Sequence, residues 1–133
     1  MDAAGEAFAL AEEGGGTVYV ISVVDESASS LLLTGESMGP LIERLTREAE
    51  ANVEAVAAAA PTGVDVRTDV IRGTAVYRAI VGYAKEVDAD VVVMGSTGRG
   101  GVGGLLGSTT QRVAEHVGLP VLVVPEKAEE TEE

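Results

Sequence analysis

Runs of apolar residues alternate along the chain with segments whose apolar residues recur at helical spacing. Two runs, Thr17–Val24 and Asp90–Met94, are almost continuously apolar, which is typical of strands buried on both faces of a parallel sheet. Residues 64–71 alternate between apolar and polar side chains instead and predict a half-exposed edge strand. A last strand is predicted over Pro120–Val124.

The segments between these strands have the pattern of amphipathic helices. Asp2 is the predicted N-cap of the first helix, which a run of three glycines ends. The predicted helices are residues 2–13, 40–60, a segment opening at Gly73-Thr74, and Ser108–His116. Because helices and strands alternate, the sequence predicts an α/β fold: an open, mostly parallel, doubly wound sheet of the Rossmann-like kind with right-handed crossovers.

The length of 133 residues fits one domain, predicted over residues 1–125, followed by an acidic disordered tail over 126–133. The net charge of −13 disfavours nucleic acid and anionic membrane surfaces as partners. The first residues lack a basic signal-peptide region, and no apolar run reaches membrane-spanning length, so we expect a cytoplasmic protein.

Catalytic chemistry finds little support in the composition. The absence of cysteine excludes disulfides, thiolate metal sites and cysteine nucleophiles. His116 is the only histidine, so a protein-held metal centre is not expected. Asp25 and Glu26 follow a strand at the edge where ligands gather. There they either contact Mg²⁺ or ribose or, as such residues more often do, begin a solvated loop.

The glycine-rich segment 95–107 is the most informative part of the sequence, because it leaves the end of a strand and enters the helix at Ser108. Glycines allow close approach of backbone amides to a phosphate, and a helix start adds free N–H groups and a positive dipole end. Ser108, Thr109 and Thr110 add hydroxyl donors. A literal dinucleotide fingerprint over 98–103 is discounted because it sits late in the chain, and a surface loop without a ligand remains the alternative.

Gly95-Ser96-Thr97-Gly98, eight residues, Gly107-Ser108, Arg112-Val113-Ala114 and then Leu119–Val124 resemble the signature end of the universal stress protein family. The resemblance extends essentially to Pro125. It implies a cytoplasmic domain that binds ATP, with Mg²⁺ as a companion ion, and that forms a homodimer through Val121–Val124. It assigns the phosphates and ribose to Gly95, Thr97, Gly98, Gly107, Ser108 and Thr109, and the adenine pocket to Val23; it assigns no catalytic residue and no metal ligand.

The chain departs from the family pattern in two places. Eight residues, where the family has nine, separate Gly98 from Gly107. The central first strand of the family, with its nucleotide-binding Asp, has no counterpart, so its neighbours Thr17–Val24 and Asp90–Met94 must pair directly or leave a gap. Because the remaining elements keep the family register, we expect that the chain as given starts late.

Three functions therefore remain open. The first is a regulatory domain that reports an adenine nucleotide state to an unidentified protein partner, with slow hydrolysis at most. The second is a dimeric interaction module whose nucleotide site is vestigial. The third, an enzyme of the related ATP-pyrophosphatase-like group, would need a second substrate pocket and catalytic residues that the sequence does not offer.

Overall fold

The computed structural model describes residues 2–27, 38–96 and 107–124. The elements alternate as the sequence predicts, and the α/β class with parallel strands in open sheets is confirmed. The predicted tail over 126–133 lies outside the described residues. The elements are α1 (Ala3–Gly14), β1 (Thr17–Asp25), α2 (Met38–Ala58), β2 (Asp65–Gly73), α3 (Val76–Glu86), β3 (Val92–Gly95), α4 (Ser108–His116) and β4 (Val121–Val124).

The described strands form two separate parallel pairs. β1 pairs with β2 in a register that sets Thr17 opposite Asp65, and β3 pairs with β4 in a register that sets Val92 opposite Val121. β1 and β3 do not pair with each other among the described residues. Of the two arrangements expected for the neighbours of the absent strand, this structure has the gap. We call the two pairs the β1–β2 unit and the β3–β4 unit.

The prediction that β1 and β3 are buried on both faces was wrong. Val24 is the one fully buried residue of β1, the residues of β3 are half-buried, and Tyr19 and Val91 remain 39% and 37% exposed. The physical reason is the gap, because each strand has a hydrogen-bonded neighbour on one edge only within the described part of the chain.

The apolar core is divided in the same way. One cluster lies on the β1–β2 unit and joins Val24 and Val70 to Ile42, Leu45 and Ala49 of α2. The other lies on the β3–β4 unit, where Val113 is 0% exposed. Its other members come from α3, the two strands and the segments that connect these elements: Tyr77, Ile80, Val81, Ala84, Ala89, Val92, Met94, Val117, Leu119 and Val121.

Two helices hold the units together. Helix α1 contacts β1, β3 and β4, and its Phe8 is buried. Helix α3 packs on β1 and β2 and also on α4. On the β1 side, the ring of Tyr83 meets that of Tyr19 edge-on, with 6.2 Å between centroids. Burial, with the nearby Asp69 carboxylate, raises the pKa of the Tyr83 phenol above its ordinary value, as expected for a phenol in this contact layer.

Local capping follows the sequence. Asp2 caps α1 as predicted: its Oδ1 accepts a hydrogen bond of 2.8 Å from the amide of Gly5.

No helix within residues 2–27, 38–96 and 107–124 is long and apolar enough to cross a membrane.

The divided core predicts two regions of separable stability. Val113→Ala removes about 2 kcal/mol of packing from the β3–β4 unit. We expect it to accelerate hydrogen exchange of Val92–Gly95 and Val121–Val124 by about thirtyfold, with a smaller effect on β1 and β2. Ile42→Ala, the matched change in the other cluster, should do the reverse. Equal acceleration of all four strands by both variants would show one cooperative core and contradict the prediction.

Candidate functional site

The carboxyl end of β3 and the start of α4 are tied together by backbone hydrogen bonds. The Ser96 amide donates to the Val124 carbonyl at 3.0 Å, and the Gly107 amide donates to the Ser96 carbonyl at 2.7 Å. The end of β3 and the start of α4 therefore lie next to each other. Thr97 and Gly98, assigned to the site by resemblance, belong to the intervening segment 97–106, which lies outside the described residues.

The start of α4 has the geometry of an anion site. Gly107 is the N-cap, and no side chain among the described residues caps the helix. The first intrahelical hydrogen bond joins the Gln111 amide to the Gly107 carbonyl at 3.0 Å. The amides of Ser108, Thr109 and Thr110 precede that bond, at the positive end of the helix dipole. Ser108 is exposed and Thr109 half-buried, so both lie within reach of a ligand.

Thr110 has a different role from Ser108 and Thr109, because its side chain is buried and hydrogen-bonded within the fold. It is 4% exposed, and its Oγ1 donates a hydrogen bond of 2.9 Å to the carbonyl of Gly95. The hydroxyl donor that the sequence offered to a phosphate is thus used to fasten α4 to the end of β3. The sequence pattern alone does not separate Thr110 from Ser108 and Thr109, because the distinction comes from this tertiary contact.

The structure brings together Gly95 at the end of β3 and Gly107, Ser108 and Thr109 at the start of α4, but it places Val23 in β1. Val23 is half-buried in β1, opposite Ile71 of β2. Its neighbour Val24 points into the core cluster on α2, so Val23 faces the opposite side of the strand. The predicted adenine residue and the predicted phosphate residues therefore stand on either side of the gap.

The carboxylates at the end of β1 have local partners. Asp25 Oδ1 accepts a hydrogen bond of 2.8 Å from the Ser27 amide, and Glu26 forms an ion pair with Arg72 at the end of β2. These contacts fix the turn after β1 and favour the structural interpretation of both residues. In the described part of the chain, no group of three or more His, Cys, Asp or Glu side chains is placed to hold a metal ion.

Known proteins resemble this chain along most of its length. The model of the universal stress protein family matches residues 1–125. Universal stress protein MJ0531 of Methanocaldococcus jannaschii is 36% identical over 133 residues, which cover 98% of this chain and 77% of that protein.

Solved structures resemble the fold as well. The hypothetical protein MJ0577, whose biochemical function was assigned from its structure, superposes with a TM-score of 0.80 at 26% identity, over 96% of this chain and 88% of that one. UspA from Lactobacillus plantarum gives a TM-score of 0.75 at 25% identity, over 92% and 86%. A universal stress protein in complex with cAMP gives 0.55 at 26% identity, over 92% and 84%.

The Thr110 anchor is testable by removing its donor and keeping its shape. Thr110→Val leaves the Gly95 carbonyl without the hydroxyl, and we expect it to lower the free energy of unfolding by about 1–2 kcal/mol. Thr110→Ser keeps the hydroxyl and loses one methyl group, so its cost should stay below about 1 kcal/mol. Urea denaturation of the three proteins measures the difference. A serine variant less stable than the valine variant would refute the anchor.

Proposed function

This chain belongs to the universal stress protein family, and from that premise we propose that it binds an adenine nucleotide, ATP, by its phosphates at the start of α4. One observation carries the proposal: the Gly107 amide bonds to the Ser96 carbonyl at 2.7 Å. That bond closes the base of the glycine-rich segment directly in front of the uncapped helix. The complex of a family member with cAMP supports an adenine nucleotide as the ligand class.

The chemistry of binding is backbone recognition of an anion. The amides of Ser108 and Thr109, together with the helix dipole, favour negative charge at this position. The Ser108 hydroxyl, which is exposed, supplies a further donor. Gly95 and Gly107, with Thr97 and Gly98 of the glycine-rich segment, complete the phosphate and ribose contacts. Mg²⁺ accompanies the triphosphate and reduces its repulsion from a chain of net charge −13.

Nucleotide binding acts here as a signal. Phosphate binding at residues 96–107 changes a surface that a protein partner reads, with slow hydrolysis at most. The protein works in the cytoplasm as a homodimer joined through Val121–Val124. Leu122 of β4 is 38% exposed, which gives that interface an apolar residue to cover.

A second function has its own support. Because Val23 and the phosphate residues lie on opposite sides of the gap, the adenine part of the site is less complete than the phosphate part. A dimeric interaction module with a vestigial nucleotide site is the function that this observation favours.

Calorimetric titration with MgATP separates the two functions, and Gly107→Val is the test variant. Gly107 has an extended backbone, with φ −68° and ψ 156°, which valine also adopts, and the valine side chain is expected to crowd the phosphates. We expect saturable binding that this variant weakens about tenfold or more.

Gly82→Val in α3 is the matched control, because an added Cβ there meets nothing within 4 Å. It should raise helix stability slightly, because valine has a higher helix propensity than glycine, and it should leave binding unchanged. Competition by cAMP would place the adenosine part of both ligands in one site. Absence of binding by the folded chain would reject the first function and leave the interaction module.

A further inference from the structure

Three basic side chains converge on one aromatic ring where α3 packs against α4. The Arg112 guanidinium carbon lies 5.4 Å from the centroid of the Tyr77 ring, and that of Arg78 lies 5.8 Å from it. The ring of His116 is 5.3 Å from the Tyr77 ring, centroid to centroid. Both arginines are within cation–π range of the ring. We call Tyr77, Arg78, Arg112 and His116 the basic patch.

Internal contacts fix the orientation of these side chains. Arg78 Nε donates a hydrogen bond of 3.1 Å to the Tyr77 hydroxyl, and His116 Nδ1 lies 2.8 Å from the Arg112 carbonyl. The hydrogen bond and charge of Arg78, with the charge of Arg112, lower the pKa of the Tyr77 phenol below its ordinary value. The patch therefore favours negative charge at its surface, where both arginines are exposed.

The charge balance makes this clustering informative. The chain has 22 acidic residues against 9 Lys and Arg, so a typical arginine should have a carboxylate beside it. Arg44, Arg67 and Arg72 do, since they pair with Glu48, Asp65 and Glu26, whereas Arg47 of α2 has no such pair among the described residues. Arg78 and Arg112 have no ion pair within 4.0 Å among residues 2–27, 38–96 and 107–124. Glu115, the carboxylate next to His116 on α4, accepts a hydrogen bond from Gln111 instead.

We propose that the basic patch is the docking site for the acidic C-terminal segment of the same chain, residues 126–133. That segment carries five glutamates and one lysine, and it complements the two arginines in charge. The docking is independent of nucleotide binding and uses no residue of the glycine-rich segment.

The topology puts the segment within reach of the patch. β4 ends at Val124, whose carbonyl is bonded to Ser96, and the Ser96 carbonyl is bonded to Gly107 at the start of α4. Arg112 lies about one helical turn, roughly 6 Å of rise, further along α4. The residues after Val124 span up to about 30 Å when extended, so the glutamates reach the patch without strain.

Because residues 126–133 are covalently attached to the domain, weak Arg–Glu ion pairs are sufficient to hold them at the basic patch. A single exposed Arg–Glu pair contributes only about 0–1 kcal/mol. A short linker, however, holds the glutamates at a local concentration on the order of millimolar. The two guanidinium groups already lie against the Tyr77 ring, so they also lose less conformational freedom when they pair with glutamates. Docking of this kind is strong at low salt and is screened at high salt.

Paramagnetic relaxation tests the proposal directly, because a chain without cysteine accepts a single nitroxide at Thr131→Cys. In ¹⁵N-labelled protein without nucleotide, at about 0.05 M salt, we expect amides near Arg78 and Arg112 to lose about half or more of their intensity. Amides of α2 should keep theirs. At about 0.5 M salt the selective loss should disappear.

A charge-matched pair of variants separates the patch from net charge. Arg78→Gln with Arg112→Gln should abolish the selective broadening. Arg44→Gln with Arg47→Gln, which removes the same charge from exposed positions of α2, should preserve it. Broadening spread evenly over the surface, or unchanged by the first pair, overturns the proposal. Broadening seen only when spin-labelled, unenriched chains are mixed with ¹⁵N chains overturns docking within one copy.

Discussion

The hydrogen-bonding requirement of the two inner strand edges is the constraint on which the rest of this structure depends. β1 and β3 each carry a row of backbone N–H and C=O groups on an edge that no described strand pairs with. Such groups are costly when they are buried without partners, by about 1–3 kcal/mol each. The half-burial of these strongly apolar strands and the division of the core into two clusters accompany the unpaired edges.

The same constraint bears on the two parts of the proposed nucleotide site. The residues proposed to bind phosphate depend on β3, α4 and β4. These elements are held together by one apolar cluster, by the backbone hydrogen bonds that Ser96 makes with Val124 and Gly107, and by the Thr110 hydroxyl. The relative position of Val23 depends on how α1 and α3 space the two units. In the proposed site, the phosphate contacts are therefore local to one part of the fold, whereas the adenine contact depends on packing that crosses the gap.

Much of the fold can be predicted from the local sequence pattern, and the predictions that fail do so for a common reason. Helix α4 has the predicted bounds, Ser108–His116, because glycine precedes it and its buried residues Thr110 and Val113 recur at helical spacing. The burial of β1 and β3 was mispredicted because an apolar run records what a strand prefers, not whether a neighbour pairs with it. The basic patch was missed for a similar reason. Arg112 and His116 share one face of α4 at i and i+4, but only tertiary packing adds Tyr77 and Arg78.

The net charge of −13 leaves room for anion binding because electrostatic fields in salt are local. At physiological ionic strength the Debye length is about 8 Å, so a ligand at the start of α4 responds mainly to the nearest amides and side chains. Both features that favour negative charge, the uncapped helix start and the basic patch, involve α4 and lie about two turns apart or less along it. A nucleic acid backbone, in contrast, extends over many Debye lengths and would meet the acidic surface as a whole. The charge distribution thus favours small or tethered anions held at one helix over long polyanions.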